Sequence, residues 1–323
     1  MASRAPGMDV ITWLKTSWRQ NIIYFGFVAV FIFFAATLHD RGFVDPQNLL
    51  NIFRQSAIIA VMAVAMTLVL SSGEIDLSVG AVAGLASVTT ALAISSGGIL
   101  FGIAVGLLTG VAVGIINGVL STRFAIPTFL TTLAMMGIAK GAAMWVSDTA
   151  AIPVLHQGYA GFFGGGTLFG VPSLLLWMLA FGAAGHIVLR RTKFGRQVLA
   201  VGGNATAARY SGIFTDRIKM GVLLISSVTA AIAGMLYAGR LQSGRFQLGE
   251  GDELSVIAAA VLGGTSLFGG RGTVIGSIIG ALMIGVINNG LILMGLEYSQ
   301  QLIARGGIII LAVAISQAGK RQT

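Results

Sequence analysis

Residues 73–80 read GEIDLSVG. Glu74 and Asp76 place two carboxylates between two long apolar runs, one ending near residue 71 and the next beginning near residue 79. In a soluble domain this would be an ordinary loop. Where the flanks are long enough to cross a bilayer, it marks a point at which a helix has to stop, because an acid at the bilayer centre costs roughly 2.5–3.5 kcal/mol on insertion scales. Whether those flanks are membrane spans therefore decides the fold.

The composition answers that question. Of 323 residues, 55% are hydrophobic and 10% are charged, and the mean hydropathy is +0.89. A soluble domain carries about 25% charged residues. Apolar runs of about 20 residues recur along the chain, the pattern of a polytopic helical membrane protein. They predict ten spans, at about 22–38, 55–71, 79–95, 98–120, 126–146, 168–189, 218–238, 255–270, 273–294 and 301–317. The expected fold is all-α, with about ten transmembrane helices. Residues 1–20 form a short basic tail, 21–317 the membrane domain and 318–323 a second tail.

The charge of +9 is unevenly distributed. With the N-terminus inside and ten alternating spans, the inner segments collect Arg4, Lys15, Arg19, Arg123 and the basic loop 190–219, while seven of the eleven acids fall outside, Glu250, Asp252 and Glu253 among them. Cytoplasmic loops gather Lys and Arg, so the charge reads as topology and not as a nucleic-acid surface. Both termini are expected in the cytoplasm. No cysteine is present, and His39, His156 and His186 are far apart. Disulfides, thiolate sites and a histidine metal site are excluded on that basis.

Two glycine-spaced stretches resemble one another. Residues 106–118 read GLLTGVAVGIING and 276–290 read GSIIGALMIGVINNG. A five-span unit used twice would invert its second copy in the membrane, as transporters often do. Gly106, Gly110 and Gly114, and Gly276 and Gly280, recur every four residues and predict faces where helices approach closely. GGTSLFGGRGT at 263–273 lacks the Gly-Lys-Ser/Thr ending of a phosphate-binding loop. It is read as a turn between closely packed helices. With no Ser/His/Asp grouping and no HExxH, no enzyme site is expected and no cofactor is implied.

The loop RRTKFGRQVLAVGGNATAARYSGIFTDRIK, 190–219, contains a helix-like part. Asn204 can cap a short helix over 205–210 and Gly212 can end it. The loop reads either as a solvated topology signal or as a docking helix for a cytoplasmic partner. For the opening stretch, Asp76 and Ser78 can satisfy backbone groups at the start of the next helix. Direct contact of Glu74 or Asp76 with a ligand is the competing reading.

Four stretches together resemble the permease family of bacterial ABC importers for ribose and related monosaccharides: GEIDLSVGAVAGL at 73–85, IPTFLTTLAMMGIAKG at 126–141, KFGRQVLAVGGNATAARYSGI at 193–213, and VIAAAVLGGTSLFGGRGTVIGSIIGALMIGVINNGL at 256–291. The resemblance covers about residues 20–317. One departure stands out: Glu74 occupies a position where the family often has a second glycine. The resemblance implies a permease of the bacterial inner membrane, paired with a second permease chain to form the pathway. It also implies a separate cytoplasmic ABC ATPase and a periplasmic solute-binding protein, with membrane lipid around the pair. Asn204, Ala205, Ala207, Ala208, Arg209 and Gly212 fall where the family's ATPase-docking helix lies. Ribose, other pentoses, galactose, polyols and a furanosyl signalling molecule of the autoinducer-2 type all suit such a permease.

A stand-alone secondary transporter or channel is the alternative. It would need its own coupling or filter groups inside the membrane. Beyond Glu74 and Asp76, only Lys140 is clearly within a predicted span, toward its outer end.

Overall fold

A computed structural model describes residues 10–310, apart from 169, 298, 305, 308 and 309. The first nine residues of the N-terminal tail, residues 311–317 of the tenth predicted span and the tail 318–323 lie outside the described residues. The described chain is helical almost throughout. Its only strands are the two-residue antiparallel pairs Ile152–Pro153 with Ser243–Gly244 and Thr167–Leu168 with Val171–Pro172.

The helices are α1 (Val10–Thr37), α2 (Pro46–Ser71), α3 (Val79–Arg123), α4 (Thr128–Val146), the single turn α5 (Gln157–Ala160), α6 (Ser173–Arg191), α7 (Lys193–Gly203), α8 (Ala205–Tyr210), α9 (Thr215–Leu241), α10 (Asp252–Leu262) and α11 (Val274–Leu293). Six of them, α2, α3, α4, α6, α9 and α11, are long and apolar enough to cross a membrane, and α1 adds a shorter apolar segment, Ile23–Thr37. The chain is an all-α, multi-pass membrane protein.

α2 is the central helix. Pro46 begins it, where the missing N–H costs nothing, and residues 56–71 are buried on every side, as expected of a helix that is apolar all round. It packs on α6, α9, α10 and α11, while α9 packs on α3 and α11 packs on α1. A second apolar cluster of Phe34, Leu38, Phe43, Ile52, Met283 and Val286 fastens α1 to that centre.

Two predicted spans, 79–95 and 98–120, are the arms of α3. Gly98 has φ +82° and ψ −176°, a conformation only glycine adopts without strain. The arms fold back on each other there, which brings the Thr89 and Thr109 hydroxyls to 3.0 Å. The predicted span at 255–270 takes a different form. α10 stops at Leu262 after 11 residues, about 16 Å of helix against a bilayer core of about 30 Å. The chain then turns through 263–273, with Gly264, Gly269 and Gly270 at positive φ.

α10 also begins inside the bundle. The segment 244–249 runs antiparallel along the first arm of α3. Ser87 Oγ donates to the Arg245 carbonyl (3.0 Å), Gly84 faces the carbonyls of Phe246 and Leu248, and Gly80 backs onto Gly249. A side chain at Gly84 would stand 2.7 Å from the Phe246 oxygen. The glycines thus make the notch that admits this segment, whose residues 246–249 form successive turns.

Candidate functional site

The interruption after α2 is built from its own residues and closed by α4. Gly73 (φ +83°) turns the chain out of α2, and α3 starts at Val79. At membrane depth the intervening backbone must find partners within the protein. Thr132 of α4, fully buried, supplies them. Its hydroxyl accepts from the Leu77 N–H at 3.1 Å and donates to the Ile75 carbonyl at 3.3 Å.

Asp76 is also fully buried. Its Oδ1 accepts from the Ser78 N–H at 2.9 Å and from the Ser78 hydroxyl at 2.6 Å. The Asn117 amide of α3 donates to the same hydroxyl at 3.1 Å. Ser78, and not Asp76, occupies the N-cap position of α3. Asp76 fixes the turn that precedes it and is closed to solute in this conformation.

Glu74 faces the other way. It forms an ion pair with Lys219 in the first turns of α9 and accepts from the Thr128 hydroxyl, which in turn meets Ser121. The Glu74 side chain is 12% exposed and that of Lys219 30%. Beside them opens a cleft of about 330 Å³, lined by Glu74, Ser121, Thr128, Arg209, Asp216 and Lys219.

The basic loop therefore meets the interruption directly. It contains two helices. Thr192 caps α7, its hydroxyl accepting from the Gly195 N–H, and the helix buries Gly195, Val198 and Val201 on one face. Asn204 caps α8 by accepting from the Ala207 N–H at 2.9 Å, and Gly212 (φ +81°) lies just beyond its end. Ala205, Ala207 and Arg209 are exposed, as are Tyr210 and Phe214, whereas Ala208 is buried against the chain itself. Arg209 reaches the Thr215 hydroxyl (3.0 Å) and lies 3.7 Å from Asp216.

One junction joins three segments. The Gly270 N–H donates to the Ser71 carbonyl at 3.0 Å. Gly202, at the end of α7, sits so close that a Cβ there would overlap the Ser71 oxygen and stand 2.7 Å from the Gly270 nitrogen. The end of α2, the turn after α10 and the base of the α8 loop thus touch backbone to backbone.

The glycine-spaced faces lie inside the bundle. Gly106 adjoins Thr90 and Met235, Gly110 faces Ala231 and Ser227, and Gly114 faces Leu224 of α9. Gly276 meets Gly263, and Gly280 the Ala259 carbonyl of α10.

Thr128, Thr132, Lys219 and Gly202 are site residues that sequence reasoning misses. The threonines carry a signal, TFLTTL at 128–133, which puts hydroxyls on one helical face of an apolar span. Lys219 carries none, since its partner is remote in sequence. Among the described residues, no three His, Asp or Glu side chains are grouped to hold a metal ion.

Residues 48–313 match the family described as branched-chain amino acid transport system / permease component. The ribose import permease protein of Bacillus subtilis is 41% identical over 90% of this chain and 91% of its own length. A probable ABC transporter permease protein of Escherichia coli K12 is 39% identical over 88% and 86%. The L-arabinose ABC transporter permease protein of Azospirillum brasilense is 36% identical over 92% and 88%. With its polar interruption, glycine-packed spans and capped loop helix, the chain belongs to this family of transport-system permease components, as an ABC importer permease.

Proposed function

We propose that this chain forms, with a second permease chain, the membrane pathway of an ATP-driven importer for ribose or a related monosaccharide. A separate cytoplasmic ATPase drives it, and a periplasmic solute-binding protein delivers the sugar. The termini and the 190–219 loop lie on the cytoplasmic side, consistent with the concentration of Lys and Arg there. Ten membrane segments, the eighth of them the short helix α10 with its following turn and residues 301–317 the last, with the second five inverted on the first, complete the arrangement.

The junction of Ser71, Gly202 and Gly270 carries this reading. ATP free energy has to reach a membrane chain through a mechanical contact. α8 is exposed for docking, and its base is wedged by Gly202 against both helix interruptions. A displacement of α8 is thereby passed to the ends of α2 and α10 without an intervening flexible side chain. The ribose and arabinose permeases among its relatives support a monosaccharide cargo.

The test is reconstitution of the chain with its ATPase and binding protein in proteoliposomes. ATP-dependent uptake of radiolabelled ribose or arabinose supports the reading. Uptake that persists without ATPase and is driven by an ion gradient would support a secondary transporter instead.

A further inference from the structure

Two charges meet within the membrane-spanning part of the bundle. Lys140 Nζ lies 2.6 Å from Glu250 Oε1, across 110 residues of sequence. Their depth follows from their neighbours. Lys140 is 12 residues from the start of α4 and 6 from its end, about 18 Å and about 9 Å along the axis. Helical side chains lean toward the N-terminus, which carries its ammonium further from the outer end. Glu250 follows Gly249, which backs onto Gly80 at the start of α3, so its backbone lies level with the start of that spanning helix and not beyond its outer end. Sequence alone places Lys140 toward an outer end and Glu250 in an outer loop. The inward course of 244–249 brings them together.

Neither charge is enclosed: the Lys140 side chain is 41% exposed and that of Glu250 57%. Lipid is a poor neighbour for such a pair, since charged side chains within a bilayer are costly unless they face protein or water. Irregular backbone at membrane depth is tolerated only where it is buried in protein or lines an aqueous cavity.

We propose that Lys140 and Glu250 line the translocation path and hydrogen-bond a neutral, polyhydroxylated solute as it passes. This rests on the permease reading above and adds the residues that touch the cargo. An ammonium supplies only donors and a carboxylate only acceptors, while each sugar hydroxyl is both. Adjacent hydroxyls can bridge the two charges in place of their direct contact. Because the pair is neutral overall, it favours neither anions nor cations, which suits a sugar and disfavours a charged solute.

The experiment uses the complete reconstituted importer. In this cysteine-free chain, Lys140→Cys should react with a membrane-impermeant charged thiol reagent, as a water-facing position must. Glu250→Gln should lower radiolabelled ribose uptake about tenfold, the loss of one charge-assisted hydrogen bond, while binding-protein-stimulated ATPase activity and dimer assembly stay within twofold of wild type. Lys140→Met combined with Glu250→Met keeps the bulk and removes the polarity, and it should be at least as impaired. Normal uptake by that double variant would reduce the pair to a packing contact and overturn the proposal. So would failure of the Lys140→Cys variant to react, or loss of the dimer in step with uptake, which would place the pair against lipid or the second chain. Absence of ATP-driven ribose uptake by the wild-type complex would count against the cargo reading instead, and the thiol reaction would still decide whether the position faces water.

Discussion

Lys219→Met should destabilise the protein more than Glu74→Gln, although the two remove the same ion pair. Glu74 is the more buried partner, with 12% of its side chain exposed against 30% for Lys219. Without Lys219, a nearly enclosed carboxylate keeps only the Thr128 hydroxyl. Without the Glu74 charge, the lysine can still turn toward the adjoining cleft. Breaking a fully buried pair costs about 3–5 kcal/mol, and a surface pair contributes about 0–1 kcal/mol. Between these limits, Lys219→Met should cost about 2–3 kcal/mol and Glu74→Gln about 1 kcal/mol. The double variant should show a coupling energy of about 1–2 kcal/mol, within the range for residues in contact. The assay is equilibrium unfolding of the purified chain in mixed micelles, read by helical circular dichroism across a denaturing-detergent titration. Equal costs for the two single variants, or a coupling energy near zero, would show that the pair is solvated and does not tie the start of α9 to the interruption after α2.

Gly110→Leu and Gly280→Leu should each cost about 1–3 kcal/mol or abolish folding, the range for overpacking. A Cβ at 110 already stands 2.7 Å from the Ala231 methyl, and one at 280 overlaps the Ala259 carbonyl; normal yield and melting temperature in both variants would place those faces against lipid. Cysteines introduced one at a time at Leu155 and Tyr210, which are 79% and 89% exposed, should label from the periplasmic and cytoplasmic sides respectively. Labelling of both from one side would overturn the assigned orientation.

Much of the fold can be read from hydropathy, because a run of apolar residues as long as a bilayer is thick has few alternatives to a spanning helix. α10 is beyond that method. Residues 255–270 are apolar enough for a span, but Gly264, Gly269 and Gly270 convert the second half into a turn, and a hydropathy window does not distinguish a half helix followed by a turn from one continuous helix. The polar interruption is visible as two acids in an apolar setting. What each acid does is not, since Asp76 Oδ1 is held by Ser78 two residues away while its buried Oδ2 has no partner among the described residues, and Glu74 is held by Lys219, brought near by the fold. The pairing of Lys140 with Glu250 depends on a loop that enters the bundle along a glycine notch on α3, a tertiary fact with no local pattern. The short helix after Asn204 is legible from its cap. The burial of Ala208 is not, because six residues give too little periodicity to assign a face.

The most direct test of the coupling account is binding-protein-stimulated ATP hydrolysis by the reconstituted complex carrying Ala207→Trp. Ala207 is exposed on α8, so under the proposed docking the bulky side chain should leave membrane insertion and yield intact while abolishing both ATPase co-purification and stimulation. Wild-type stimulation with Ala207→Trp in place would contradict the account and move the docking surface away from α8.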